Sequence, residues 1–239
     1  MGLTISNLKK RYRDGLVVKD LSLTVGQGEI VGLLGPNGAG KTTAFYMIIG
    51  LIAPDSGSVR FNDVDITALP IHKRAEMGMG YLSQEPSIFR QMSVEENILA
   101  ILEMLPITKK ERVARLESLL AELGLSHLAT KPAVTLSGGE RRRLEITRAL
   151  VTNPSLLLLD EPFANIDPIT IRDVQEMILL LKSKGISVLI TDHNAREVAT
   201  LVDRCYLMQG GVVASCGTME ELLRDGAARE SYFGEDFTL

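Results

Sequence analysis

Cysteine is scarce in this chain, with only Cys205 and Cys216 in 239 residues. Two thiols cannot make the disulfide framework of a small secreted domain, and both are expected as small buried hydrophobes in a reducing compartment. A basic excess is also missing. Lys and Arg number 26 against 30 Asp and Glu, for a formal net charge of −4, so no global positive field points to nucleic acid. The short basic runs at 9–11 and 141–143 read as solvated faces. Long hydrophobic runs are absent as well. The longest, AFYMIIGLIA at 44–53, falls far short of the roughly 20 residues a membrane-spanning helix needs. Residues 1–10 lack the apolar core of a secretory signal, and the chain is not expected to cross a bilayer by itself. No internal repeat or low-complexity tract is seen.

What remains is an ordinary globular composition, 45% hydrophobic and 23% charged, enough to build one large core without staples. LTISNLKKRY and LVVKDLSLTV alternate with period two and predict antiparallel strands turned at RDG. GEIVGLLG, PSLLLLDEP and ISVLITDH are continuous apolar runs, the pattern of strands buried on both faces. GSVRFNDVDI reads as one further strand, and MGMGYLSQE ends another. KTTAFYMIIGLI, LSGGERRRLEITRALVTN, PITIRDVQEMILLLKSKG, NAREVATLV and TMEELLRDG predict helices, and RCYLMQGGVVASCG a hairpin turned at Gly210 and Gly211. Between about 93 and 128, SVEENILAILEML and KKERVARLESLLAELGL change the texture to charged helix, an apparent insertion. Strands alternating with helices imply a mainly parallel sheet covered on both faces, with an antiparallel edge from the first hairpin.

Glycine is concentrated where chemistry is expected. Gly35-Pro36-Asn37-Gly38-Ala39-Gly40-Lys41-Thr42 fits the phosphate-binding pattern G-x-x-x-x-G-K-[ST] between a buried strand and a helix, followed by Thr43. Glycines bring backbone N–H groups close to an anion, and the helix beginning near Lys41 adds unpaired donors and a positive dipole end. Lys41 would meet the β- and γ-phosphates, and the Thr42 hydroxyl would ligate Mg²⁺. Asp160, ending LLLLD, is the expected metal carboxylate, and Glu161 beside it the general base or water-orienting group. Alone, that acidic pair would read as a helix cap or surface turn. His193 ends the next apolar run, where it is expected to contact the γ-phosphate and position water. The second glycine stretch, LSGGE, puts Ser137, Gly138 and Gly139 at a helix start. Ser137 and Glu140 also fit a capping box, and the two readings are compatible. Two phosphate-facing loops in one chain suggest two copies head to tail, with two ATP molecules at the seam.

GPNGAGKTT, LSGGE, LLLLDEP and TDH stand in the order and spacing of the ATP-binding-cassette (ABC) ATPases, which the chain resembles over nearly its whole length. The resemblance implies an α/β P-loop NTPase fold of the ABC nucleotide-binding type, with an antiparallel β edge and a helical subdomain. It implies a single domain over 1–239. The RecA-like core would take 1–84 and 155–239, and the helical subdomain about 85–154, including the LSGGE signature. It further implies ATP and Mg²⁺ as cofactors, Tyr12 stacked on adenine, and Gln84 joining the metal to the helical subdomain. The rival reading of Tyr12 is a plain strand aromatic. Residues 165–167 fall at the family's dimer-contact loop, with Asn165 where a smaller residue is expected.

Within the family, GLLGPNGAGKTTAFYMIIGL, EPSIFRQMSVEENI, LLLDEPFANIDP, LITDHNAREV and the terminal YFGEDFTL resemble the lipopolysaccharide-export branch, although Ser83 replaces an expected proline. That likeness implies a homodimer of ATPase subunits. It would be peripheral on the cytoplasmic face of the inner membrane and bound to two transmembrane permease subunits through a groove near Phe89 and Arg90. Those two residues are otherwise ordinary loop packing. The alternatives are the ATPase of an amino-acid importer and a soluble non-transport ABC ATPase.

Overall fold

The computed structural model describes residues 2–164 and 166–233. The described residues build a ten-stranded sheet in the order β5-β4-β1-β2-β10-β9-β3-β8-β7-β6. Its centre is parallel: β3 (Ile30–Leu34), β8 (Ser187–Asp192), β7 (Leu156–Asp160) and β6 (Met79–Leu82) pair in register, with β9 (Arg204–Gln209) on the other side of β3. Every residue of β3, β7 and β8 is buried, as continuous apolar runs require of strands covered on both faces.

Alternate side chains of those strands serve two cores. Ile30, Leu34, Leu157, Leu159, Val188 and Ile190 pack with the helices α3 (Val94–Leu102), α4 (Lys109–Glu122), α5 (Gly138–Leu150) and α6 (Pro168–Ser183). Val31, Leu33, Leu156, Leu158 and Leu189 face α1 (Lys41–Ile49) and the antiparallel strands. The period of two within one apolar run is what allocates each residue to its side.

The antiparallel edge begins with β1 (Gly2–Tyr12) and β2 (Gly15–Gly26), turned at Arg13 and Asp14. The stretch GSVRFNDVDI is not the single strand its sequence suggests. It forms β4 (Ser56–Phe61) and β5 (Val64–Asp65), an antiparallel pair folded at Asn62 and Asp63. Both turn residues have positive φ, 48° and 65°, a conformation Asn and Asp tolerate better than other non-glycine residues. The hairpin of β9 and β10 (Val212–Gly217) turns at Gly210 and Gly211 as its sequence predicts, and β10 then meets β2 in parallel. The chain continues through α7 (Ala195–Ala199), which precedes β9, and α8 (Met219–Arg224) to a last helical stretch at 226–233.

The sequence reading passes over α2 (Ile71–Glu76), a short helix that carries an unusual residue. Arg74 is 2% exposed. Its guanidinium donates to Met47 O (2.8 Å) and Ile48 O (2.6 Å) at the end of α1, and to Leu69 O (2.8 Å) and Thr67 O (3.0 Å). A cation there satisfies terminal carbonyls and complements the negative end of α1. Replacing it by methionine would strand those carbonyls in the interior. Arg74→Met is expected to destabilise the fold by about 3 kcal/mol, seen as a lower urea midpoint at unchanged slope. An unmoved midpoint would show that the cluster contributes nothing.

Both cysteines are free. Cys205 is buried as expected, but Cys216 is exposed, because β10 is antiparallel to β9 at the surface and turns alternate residues to solvent. The basic run 141–143 is likewise not a solvated face. Helical geometry turns Arg142 inward, where it is buried, and leaves Arg141 and Arg143 half-buried.

Candidate active site at the carboxyl ends of the central strands

The loop 35–40 joins β3 to α1 at the carboxyl edge of the sheet, where ligands of open α/β sheets bind. Its glycines have identifiable reasons. A Cβ on Gly35 would lie 2.2 Å from the Met208 carbonyl oxygen, and Gly40 has φ of +103°. Side chains at these positions would push the loop off β9 or strain its backbone. Pro36, Asn37, Gly38 and Ala39 complete the loop, and Lys41, Thr42 and Thr43 form the first turn of α1, whose N–H groups face outward from the helix start. Lys41 is buried and its Nζ donates to Gly35 O (2.7 Å) and Pro36 O (3.1 Å). Burial pushes its ammonium below the ordinary lysine value, against the opposing pull of Glu161, Asp192 and Asp160.

Asp160 closes β7 and is almost wholly buried, which raises its carboxyl above the usual range. Its Oδ1 accepts a 2.6 Å hydrogen bond from Thr191 Oγ1, and its Oδ2 a longer one, 3.4 Å, from the Tyr81 hydroxyl. Glu161 follows with φ of +46°, a left-handed conformation rare for a non-glycine residue. Its backbone N–H donates to Thr191 O at 2.9 Å. The Glu161 carboxylate is a meeting point. Gln84 Nε2 donates to its Oε2 at 3.1 Å, and His193 Nδ1 stands 3.4 Å from the same oxygen. Gln84 and His193, far apart in the sequence, therefore converge on one atom of Glu161. His193 Nδ1 also lies 3.6 Å from Asp192 Oδ1. Asp192 Oδ1 accepts from the Asn194 N–H (2.8 Å), which fixes the turn carrying the histidine.

The second glycine stretch sits at the start of α5. Ser137 Oγ accepts from Glu140 N (3.2 Å) and Glu140 Oε2 from Ser137 N (2.8 Å), so the capping box is formed. Gly138 has open space where a Cβ would be, and a Cβ on Gly139 would lie 3.1 Å from Thr170 Oγ1. Gly138 shares a cleft of about 180 Å³ with Gln84, Arg142, Glu145 and Glu161. Arg142 ties this helix to the glutamine loop. Its Nη1 pairs with Glu145 Oε2 (2.9 Å) and donates to Ser83 O (3.3 Å), the residue before Gln84. Residue 83 takes part here through its backbone carbonyl, a group serine and proline share.

Other expected residues lie apart from this cluster. Tyr12 ends β1, half exposed, with Lys10 Nζ 5.9 Å from its ring centroid. Phe89, 47% exposed, carries the Arg148 guanidinium 4.6 Å above its ring. Arg148 and Ser87 border a groove of about 310 Å³ also lined by Ile71, Ala75, Tyr81 and Ile101. The Arg90 carbonyl accepts from Val134 N at 2.9 Å. Asp167 caps α6 by accepting from Ile169 N (3.0 Å) and Thr170 N (3.1 Å), while Asn165 lies outside the described residues, as does the chain beyond Phe233. Of the terminal segment, Tyr232 is seen donating from its hydroxyl to His193 O at 3.2 Å.

Thr191, Tyr81, Asp192 and Glu145 carry no role in the sequence pattern, and Arg142 reads there only as part of a solvated basic run. The one readable signal was a hydroxyl residue inside an otherwise apolar strand, ITD after VL, where a buried threonine needs a partner.

The fold and this site define a P-loop nucleotide triphosphatase. The sequence profile of the ABC transporter family matches residues 18–164. The lipopolysaccharide export system ATP-binding protein LptB of Acidithiobacillus ferridurans is 52% identical over 237 residues, covering 99% of this chain and 98% of its own. LptB of Escherichia coli strain K12 is 49% identical over 238 residues, covering 99% of each. The ADP conformation of MJ1267, an ATP-binding cassette of an ABC transporter, superposes with a TM-score of 0.87 at 33% identity, covering 98% of this chain and all of that one. The chain belongs to the ABC transporter family and is one of its nucleotide-binding ATPases. Among the described residues, no helix is long and apolar enough to cross a membrane.

Proposed function

We propose that this chain is the ATP-hydrolysing motor of a lipopolysaccharide exporter. In this reading it acts as a homodimer on the cytoplasmic face of the inner membrane, attached there through two permease subunits. The observation that carries the assignment is identity of about half the residues, end to end, with proteins named for lipopolysaccharide export. The site supports the chemistry independently, through the convergence of Gln84 and His193 on Glu161 Oε2.

The working domain is single. In this reading a RecA-like core would take 1–84 and 155–239 and a helical subdomain about 85–154. The Lys41 ammonium, which braces the free loop through the Gly35 and Pro36 carbonyls, would meet the β- and γ-phosphate oxygens, while the backbone amides of Gly38, Ala39, Gly40, Lys41 and Thr42 cradle the phosphates. Tyr12 would stack on the adenine. Thr42, Gln84 and Asp160 offer the hard oxygen donors Mg²⁺ takes. Among the described residues no cluster of three or more His, Cys, Asp or Glu competes for a metal. Mg²⁺ would neutralise charge developing on the phosphates. Glu161 would accept a proton from the water as its oxygen bonds to the γ-phosphorus and the β–γ bridging oxygen leaves. Gln84 and His193 hold the accepting oxygen in place.

Ser137, Gly138 and Gly139 of one protomer would close on the triphosphate held by the Lys41 loop of its partner. Closure would move the helical subdomain and the permease helices seated near Phe89 and Arg90, and hydrolysis would reopen the pair. The test is co-purification of the tagged chain from detergent-solubilised membranes. Permeases that themselves carry lipopolysaccharide are expected. Recovery with amino-acid importer permeases, or with no membrane protein, would overturn the assignment.

A further inference from the structure

We infer that Thr191 is a positioning residue that sets both acidic groups of the ATPase site through a single hydroxyl, a role that rests on the hydrolysis reading of Asp160 and Glu161 given above. Thr191 lies on β8 directly across from Asp160 on β7 and is 0% exposed. Its Oγ1 donates to Asp160 Oδ1 at 2.6 Å and accepts from the Glu161 N–H at 3.3 Å, beside the 2.9 Å bond from that N–H to the Thr191 carbonyl. The hydroxyl's one proton and a lone pair are thereby used on consecutive residues of the partner strand.

Each bond has a consequence. A carboxylate turns freely about its Cβ–Cγ bond unless something fixes it. A short charge-assisted bond at Oδ1 fixes the plane of Asp160, with Tyr81 as a weaker second contact at Oδ2. In an extended strand, Glu161 would point to the face opposite Asp160. Its left-handed φ of +46° breaks that alternation and lets the two carboxylates serve one site. The Thr191 carbonyl and hydroxyl hold the N–H on which that turn depends. Valine would fill the same space in β8 without an alcohol to satisfy. An alcohol buried to this degree is retained only where its bonds compensate its desolvation, and here both bonds go to the acidic pair.

Thr191→Val removes the hydroxyl at nearly constant volume, and Thr191→Ser restores it. In Thr191→Val, turnover is expected to fall about 10-fold or more. ATP affinity measured by calorimetry in EDTA is expected to stay at the wild-type value, while the gain in affinity on adding Mg²⁺ shrinks several-fold. Thr191→Ser is expected to recover turnover to within about 2-fold. If the valine variant does not fold, Thr191→Ser against Thr191→Ala gives the same contrast at small volume. Wild-type turnover and Mg²⁺ response in Thr191→Val, or equal damage from Val and Ser, would overturn the inference. Glu161→Gln run alongside separates the two ideas: if it too hydrolyses normally, the hydrolysis reading fails, and if only the threonine variants are normal, Thr191 alone is dismissed.

Discussion

Glu161→Gln is expected to bind ATP as the wild type does and to hydrolyse it at least about 100-fold more slowly, the loss associated with removing a general base. The substitution changes almost nothing else. Glutamine has the volume of glutamate, and its amide oxygen can still accept the hydrogen bond that Gln84 Nε2 now gives at 3.1 Å. The backbone N–H remains on the Thr191 carbonyl, so the left-handed turn at 161 is retained. What disappears is a group able to take a proton from water, and a negative charge near Lys41. Losing that charge does not weaken a site built to attract a triphosphate. Binding and turnover should therefore separate, and a closed dimer with ATP at its seam should accumulate. Single-turnover hydrolysis measures the first effect, and size-exclusion chromatography with and without ATP the second. Turnover within about 3-fold of wild type would reject Glu161 as the base. A monomer that persists with ATP bound would reject the clasp between protomers.

The parts of this molecule that could be read from its sequence are those where one residue type leaves few options. Continuous apolar runs placed β3, β7 and β8 at the centre because only a strand covered on both faces needs every residue apolar. The glycine pattern placed the tight loop at 35–40 between β3 and α1 because Gly35 packs against the Met208 carbonyl and Gly40 has positive φ. The break at Asn62 and Asp63 was missed because NDV interrupts an alternating pattern only weakly, and α2 because six residues barely fill a turn and a half. Arg142 was misassigned for a different reason. A run of three arginines looks like surface, but on a helix successive residues are about 100° apart, and one of them had to face the glutamine loop. The role of Thr191 depends on a register between two strands, which pairs residues 31 apart in sequence and which no local pattern encodes.

Lys41→Ala is expected to lower ATP affinity about 100-fold, because two charge-assisted hydrogen bonds to phosphate oxygens are lost at roughly 1.5 kcal/mol each. A direct effect on the loop adds to this. The ammonium is the donor for the carbonyls of Gly35 and Pro36, at 2.7 and 3.1 Å, and without it those groups lose their partner and the cradle loses its internal brace. The loss should therefore exceed what screening by salt can reproduce. Raising ionic strength weakens exposed phosphate attraction but leaves a buried lysine largely unscreened. Lys41→Arg separates the two contributions. It keeps the positive charge, but its planar fork is a poor substitute for a point donor surrounded by backbone, so most of the affinity should still be lost. Titration with a fluorescent ATP analogue at two salt concentrations measures all three proteins. Equal affinity in wild type and Lys41→Ala would remove the loop at 35–42 from the nucleotide site. Full recovery in Lys41→Arg would show that charge alone matters and that the hydrogen bonds to the loop carbonyls do not shape the cradle.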